Sequence, residues 1–291
     1  MASGGPLPGR PHPFLMKMNS NLMKTIKAAA VQLNSQPDVK ISLQEVQSRV
    51  REAAENGAKL ICLPENFAFL GDEREKLKQS AEISAEVEKK LPEWAKELNV
   101  TIIGGGYPAQ AGNGKIYNRS IVVNTDGEVA ATYDKIHLFD VEISEEETWR
   151  ESDTVQEGKR DAVVYKSDNL PAIGLSICYD LRFPELYRKM AAQGAEIITV
   201  PSAFTRPTGE AHWMPLLQTR AIENSAFVIA PAQTGLHGEK RKTWGHSMII
   251  DPWGTVLSEA GIEPGVIYAE LDLEYLKEVR KKLPSLEHRV L

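Results

Sequence analysis

Leu175-Ser176-Ile177-Cys178-Tyr179-Asp180-Leu181-Arg182-Phe183-Pro184-Glu185 is the stretch on which the reading of this chain turns. The apolar run 172–177 has the composition of a buried strand and delivers a cysteine where the strand pattern stops. A short polar turn follows, and Pro184 opens a helical pattern, as proline does in a first helical turn. Strand, sharp turn and helix start together expose a nucleophile on a rigid support, near backbone N–H groups that can stabilise an anion. Taken alone, Cys178 reads more simply as a small buried hydrophobe, since free cysteine is among the most buried residue types.

Working outward, the chain has 291 residues, 42% hydrophobic and 25% charged, the balance of an ordinary globular protein. A formal charge of −6 argues against nucleic acid or an anionic membrane as the main partner. No apolar run reaches bilayer-spanning length. Cys62 and Cys178 are far apart and are the only cysteines, which points to a reducing compartment and a cytoplasmic protein. Zinc-type cysteine pairs and a His-Glu-x-x-His run are absent, so no metal site is expected. Gly104-Gly105-Gly106 lacks the spacing of a dinucleotide loop.

Residues 1–24 are rich in proline and glycine, basic and free of acid, and are expected to form a disordered leader. A tag or an organellar leader would both have this composition. From Thr25 the pattern is regular. Strands are predicted over 26–33, 59–64, 100–103, 119–124, 129–133, 172–177, 197–200, 227–231, 247–250, 255–258 and 266–270. Helices are predicted over 43–58, 82–98, 184–193, 213–224 and 273–283. This alternation is that of an α/β protein with a mixed sheet or two sheets. No internal repeat or dividing linker is visible, which predicts one domain over 25–291.

Three more positions share the logic of Cys178. Glu65, in Leu63-Pro64-Glu65-Asn66, ends a buried strand, where desolvation tunes a carboxylate towards general-base work. Lys135, in Tyr133-Asp134-Lys135-Ile136-His137, follows a strand, where a fixed cation can hold an oxyanion. Glu151, in Trp149-Arg150-Glu151-Ser152, lies beyond the acidic run 145–147, itself read as a solvated loop. His137, His212 and His246 are candidates for a Cys–His pair, and spacing does not choose among them.

These segments together resemble the carbon–nitrogen hydrolase (nitrilase) superfamily, over nearly all of the chain from Thr25. The match rests on Leu-Pro-Glu-Asn at Glu65, Tyr-Asp-Lys-Ile-His-Leu-Phe-Asp at Lys135 and Ile-Cys-Tyr-Asp-Leu-Arg-Phe-Pro-Glu at Cys178. The resemblance implies an α-β-β-α four-layer sandwich of the nitrilase type, a homodimer or tetramer, and a C-terminal tail crossing to the neighbouring subunit. It also implies a Glu65–Lys135–Cys178 triad acting on a small amide through a thioester, with no cofactor. The oxyanion would be held by Lys135 and the Tyr179 backbone N–H, and Glu151 would position the substrate or orient Lys135.

Segments 137–143, 201–213, 232–248 and 251–254 are most similar to the deaminated glutathione amidase branch, although Trp244 stands where related sequences often carry tyrosine. The ω-amidase branch, acting on α-ketoglutaramate, is the nearest alternative, with less similarity over 232–248, a segment read as a loop between strands. A fold-retaining interaction protein is the alternative of another class. Substrate contacts are expected from Arg182, Ser202, Phe204, Arg241 and Lys242, the last two in the basic cluster 240–242.

Overall fold

Alternation along the strands sets the layers. The computed structural model describes residues 24–144, 147–239 and 241–290. In β1 (Thr25–Gln32), Ala28 and Ala30 join one buried cluster while Ala29 and Val31 join another. α1 (Val39–Glu55) leads to β2 (Leu60–Cys62), where Leu60 and Cys62 turn one way and Ile61 the other. α2 (Glu73–Leu98) leads to β3 (Thr101–Gln110), in which Ile103 and Ile102 divide likewise. A period of two with both faces buried is what a sheet covered on both sides requires. Leu43, Val46 and Val50 of α1, and Ile83, Val87 and Leu91 of α2, lie at helical spacing and cover one face.

β4 (Ile116–Val123) and β5 (Val129–Asp134) extend this sheet in antiparallel fashion. A short pair, β6 (Asp140–Ser144) and β7 (Glu147–Arg150), then precedes the second sheet. That sheet is built from β8 (Val163–Tyr165), β9 (Ile173–Leu175), α3 (Pro184–Ala192), β10 (Ile197–Thr199), α4 (Arg206–Asn224) and β11 (Phe227–Ala230). After the hairpin β12 (Thr234–His237) and β13 (Arg241–Trp244), β14 (Met248–Ile250) and β15 (Val256–Glu259) complete it. β16 (Gly265–Asp272) returns to the first sheet, and α5 (Leu273–Lys282) closes the body.

Among the described residues the two main sheets are six-stranded, ordered β16-β1-β2-β3-β4-β5 and β15-β14-β11-β10-β9-β8, beside the two-stranded pairs β6-β7 and β12-β13. β1–β3 and β9–β11 are each parallel, so both sheets are built around a βαβαβ unit, a structural repeat that the sequence does not display. Residues of both sheets meet in one cluster that includes Ala28, Cys62, Val122, Leu175, Ile198 and Ile229. The same cluster takes in Tyr187, Met190, Trp213 and Leu217 of α3 and α4. The order is therefore helices, sheet, sheet, helices, the expected α-β-β-α sandwich. Among the described residues no helix is long and apolar enough to cross a membrane.

Several boundaries depart from the sequence reading. α2 begins at Glu73 and not near 82, because Asp72 caps it by accepting from the Arg74 and Glu75 N–H groups. Its charged first turns hide the helical period. α4 begins at Arg206 rather than near 213. The segment 232–248, read as a loop, contains the hairpin β12–β13, and β6, β7 and β8 were not anticipated. These strands are three to five residues long, too short to show alternation. Of the acidic run 145–147, residues 145 and 146 lie outside the described residues, as does the leader up to 23.

β3 runs straight through the glycine triplet that was expected to end it. A Cβ on Gly105 would fall 2.4 Å from the Pro64 carbonyl oxygen, so the missing side chain lets β3 press against the backbone leading to Glu65. Gly105→Ala is expected to cost about 1–3 kcal/mol, a drop of several degrees in melting midpoint by thermal scan. Gly261→Ala, where nothing lies within 4 Å, should leave the midpoint unchanged.

Candidate active site

Cys178 is the first residue of a short turn, Cys178–Arg182, directly beyond β9. Its φ is +49°, a left-handed conformation that costs a non-glycine residue on the order of 1–3 kcal/mol. Two anchors hold it there. The Cys178 N–H donates to Pro201 O at 2.9 Å. Behind it, the buried Asp180 carboxylate accepts from the Ile177 N–H at 2.9 Å, the Tyr133 hydroxyl at 2.7 Å and the His137 N–H at 3.1 Å. The His137 ring also meets Asp180, at 2.7 Å, and stacks on Phe183.

None of the three candidate histidines faces the thiol. His137 serves Asp180, His212 lies beside Arg182, and His246 bonds Glu259 and stacks on Trp244. The groups that do meet Cys178 come from three other strand ends. Glu65, beyond β2, accepts from Lys135 Nζ at 3.0 Å and Asn118 Nδ2 at 2.9 Å through Oε1, and from the Ala203 N–H at 3.0 Å through Oε2. Cys178 borders the same pocket as Glu65, Lys135 and Ala203, near enough to Glu65 for that carboxylate's charge to act on the thiol.

Lys135, beyond β5, is held from its other side by Glu151, whose oxygens accept from Nζ at 3.0 and 2.8 Å. Glu151 is fixed in turn by the Phe139 N–H at 2.7 Å and Asn118 Nδ2 at 3.1 Å. Glu65, Lys135, Glu151 and Cys178, proposed from the sequence as one set, therefore lie together. The Tyr179 N–H has no hydrogen-bond partner among the described residues and adjoins the sulfur's own residue.

The charges follow from this geometry. Burial works against the Lys135 ammonium, but Glu151 and Glu65 outweigh it and hold its pKa well above the ordinary lysine range. Burial likewise opposes the Glu151 carboxylate, and Lys135 reverses that and lowers its pKa. Burial first, and then the Glu65 charge, push the Cys178 thiol up, with Lys135 and the Ala203 N–H compensating only in part. The resting sulfur is thus protonated and needs a base at the moment of attack. Glu65 is placed to be that base.

Above these groups lies a pocket bordered by Lys76, Phe139, Trp149, Arg182, Phe204 and Arg241 among others. Arg182 sits 5.7 and 5.5 Å from the Tyr179 and Phe204 ring centroids. It contacts the His212 ring at 3.3 Å and makes no ion pair among the described residues. Ser202, expected to face substrate, does not border the pocket. It is fully buried in a bridge to Ala232, and its hydroxyl donates to Val200 O. Lys242 borders only an outer groove, because alternation along β13 turns it away from the side that Arg241 takes. Lys240 of the expected basic cluster lies outside the described residues.

Sequence reasoning missed Asn118 and Lys76. Asn118 stands on the buried face of β4 between Ile116 and Ser120, and an amide on a core face is itself a signal. Lys76, buried and donating to Asn66 Oδ1 at 3.2 Å, was hidden with the first turns of α2. The Asp72-x-x-Glu75 pattern marks that helix start.

The profile of carbon–nitrogen hydrolases matches residues 27–281. A deaminated glutathione amidase of Synechocystis sp. is 50% identical over 270 residues, 92% of this chain and 99% of its own. Among solved structures, the C. elegans NitFhit protein superposes with a TM-score of 0.87 at 35% identity, covering 92% of this chain. This chain spans 65% of the NitFhit chain. A mutant of the amidase from Nesterenkonia sp. AN1, in which acrylamide has added at the active-site cysteine, gives 0.76 at 27% identity, covering 89% of this chain and 98% of its own.

Because the Cys178 pKa is raised, its thiolate is absent at neutral pH. The thiolate ultraviolet difference between wild type and Cys178→Ala is expected to show no step from about pH 5 to about pH 9. A step below neutrality would mean a preformed thiolate and remove the need for Glu65 as base. Cys62, whose thiol burial alone pushes up, is common to both proteins and cancels.

Proposed function

The chain belongs to the carbon–nitrogen hydrolase family, and from that premise we propose that it hydrolyses deaminated glutathione through a thioester on Cys178. It is an amidase, acting on carbon–nitrogen bonds other than peptide bonds with a cysteine nucleophile. The observation that carries the assignment to these residues is the convergence of Cys178, Glu65, Lys135 and Glu151 on one pocket, where Glu65 receives Lys135.

The steps follow from the contacts. Glu65 takes the thiol proton as sulfur attacks the amide carbon, and the carbonyl electrons move onto oxygen. That oxyanion is met by the Lys135 ammonium and the Tyr179 N–H, donors that need no rearrangement because they are already fixed. As the intermediate collapses the C–N bond breaks, Glu65 returns its proton to nitrogen, and the amine leaves. Water then gives a proton to Glu65 and attacks the thioester. The second oxyanion collapses, the C–S bond breaks, and sulfur recovers its proton. One amide and one water become one acid and one amine. Glu151 keeps the Lys135 ammonium in place, held itself by the Phe139 N–H.

Deaminated glutathione joins an α-keto acid, through its γ-amide, to the amine of cysteinylglycine. Its carboxylates suit a pocket bordered by Lys76, Arg182 and Arg241. Arg182, lacking an anionic partner among the described residues, is the group proposed to receive the α-keto acid carboxylate. The reading takes 25–291 as one catalytic domain and carries with it a homodimer in the cytoplasm, the first of which sizing in solution checks.

Release of cysteinylglycine from deaminated glutathione, compared with ammonia from α-ketoglutaramate and from a simple nitrile, tests the substrate. The highest kcat/KM is expected for deaminated glutathione, and a preference for α-ketoglutaramate would make the protein an ω-amidase. Glu65→Gln is expected to lower kcat by about 10²–10⁴, and Cys178→Ala to abolish thioester formation by mass spectrometry. Arg182→Met should raise KM about ten- to a hundredfold, the loss of a charge-assisted pair.

A further inference from the structure

The pocket over Cys178 adjoins a wider groove, and four residues border both spaces: Glu73, Trp149, Arg150 and Arg241. They come from three places far apart in sequence, the start of α2, the end of β7 and the start of β13. Arg241 lies 4.8 Å from the Trp149 ring centroid and donates to Glu73 Oε1 at 3.1 Å. Glu73 Oε2 is in turn 2.6 Å from Lys76 Nζ. The result is a collar between inner pocket and outer groove.

Two properties of the collar point to an anion. The Arg241 side chain is 14% exposed, yet its Nε has no hydrogen-bond partner among the described residues. A buried guanidinium N–H left unpaired is unfavourable, and a bound carboxylate would satisfy it. Around the collar, Arg74, Arg150, Arg206 and Lys242 are exposed and make no ion pair among the described residues. Of the acids bordering the groove, Asp72 is committed to the cap of α2, Glu73 to Arg241 and Lys76, and Glu75 to Lys78, while Asp153 and Glu239 are exposed and make no ion pair among the described residues.

The order of chemical events assigns the two spaces. While the acyl half stays bound to sulfur, the amine must depart and water must replace it, so the amine half has to lie on the side that is open. Arg182 borders only the inner pocket, which leaves the collar and the groove beyond it for the other half.

We propose that the Trp149–Arg241–Glu73 collar, with Arg150 beside it, is the subsite for the leaving half of the substrate, a peptidyl amine whose terminal carboxylate is received by Arg241 Nε and Arg150. This rests on the reading of the substrate as deaminated glutathione and extends it. Selection between an amide of ammonia and an amide of a dipeptide, on the same acyl half, is made at this collar.

The test uses three substrates on the full chain: deaminated glutathione, its derivative with the glycine carboxylate converted to an amide, and α-ketoglutaramate. In the wild type, blocking the carboxylate is expected to lower kcat/KM about tenfold. Arg241→Gln and Arg150→Ala should each lower the ratio of kcat/KM for deaminated glutathione to that for α-ketoglutaramate by about the same factor, and in Arg241→Gln the blocked and free dipeptide amides should become nearly equal. Arg150 is exposed, so its variant keeps the test available should Arg241→Gln fail to fold. Equal losses on both amides, or no change in the ratio, in an enzyme that cleaves deaminated glutathione well would overturn the subsite alone. A wild type that cleaves α-ketoglutaramate but not deaminated glutathione would overturn the substrate reading and the subsite with it.

Discussion

Between the two sheets, a lysine ammonium is buried with a carboxylate on each side. Lys135 is 2% exposed, Glu65 3% and Glu151 12% as side chains. None of these charges would be tolerable there alone, since the effective cost of burying an ion is several kcal/mol. Together they satisfy one another, with the Ala203 and Phe139 N–H groups and Asn118 closing the remaining oxygen positions. The constraint is mutual: losing any member strands the others. The loops after β2, β5 and β7 are thereby fixed relative to one another, and Cys178 is presented to a set of groups that cannot relax away from it.

The fold supplies this meeting place by repetition. Each βαβαβ unit ends its parallel strands at the same rim, where open α/β sheets gather their ligands. The first sheet brings Glu65 and Lys135, and the second brings Cys178 and Ala203. Neither unit contains the chemistry by itself. The left-handed conformations at Asn66 and Cys178 stand at the two crossings, one beside the base and one at the sulfur. Both mark where a strand must turn at once in order to aim a side chain into the gap.

Much of this was legible in the sequence, and for identifiable reasons. Strands buried on both faces read as apolar runs, so β1, β2, β10 and β11 were found, and the residues closing such runs were suspect because charge or thiol there is out of keeping. Glu65 and Cys178 stand out in that way, Lys135 follows the mostly exposed β5, and it is the resemblance of the motifs around all three that joins them. What failed to show was whatever depends on partners distant in the chain. Lys76 is hidden in a charged helix start, and its burial comes from Asn66 and Glu73. Ser202 lies in a segment that resembles the family, and nothing local in the sequence shows that the bridge to Ala232 encloses it. Arg241 and Lys242 looked alike until the hairpin β12–β13 placed them on opposite faces.

The raised pKa of Cys178 bears on how long such an enzyme lasts. Peroxide and other general oxidants attack the thiolate, and exposure sets how readily they find it. A sulfur that is 7% exposed and protonated at rest offers neither. Reactivity is lent to it only while a carbonyl carbon lies within its reach and Glu65 can take the proton. The same arrangement that makes the sulfur slow in isolation keeps it from being spent on the wrong electrophile, so durability and selectivity arise from one desolvated thiol.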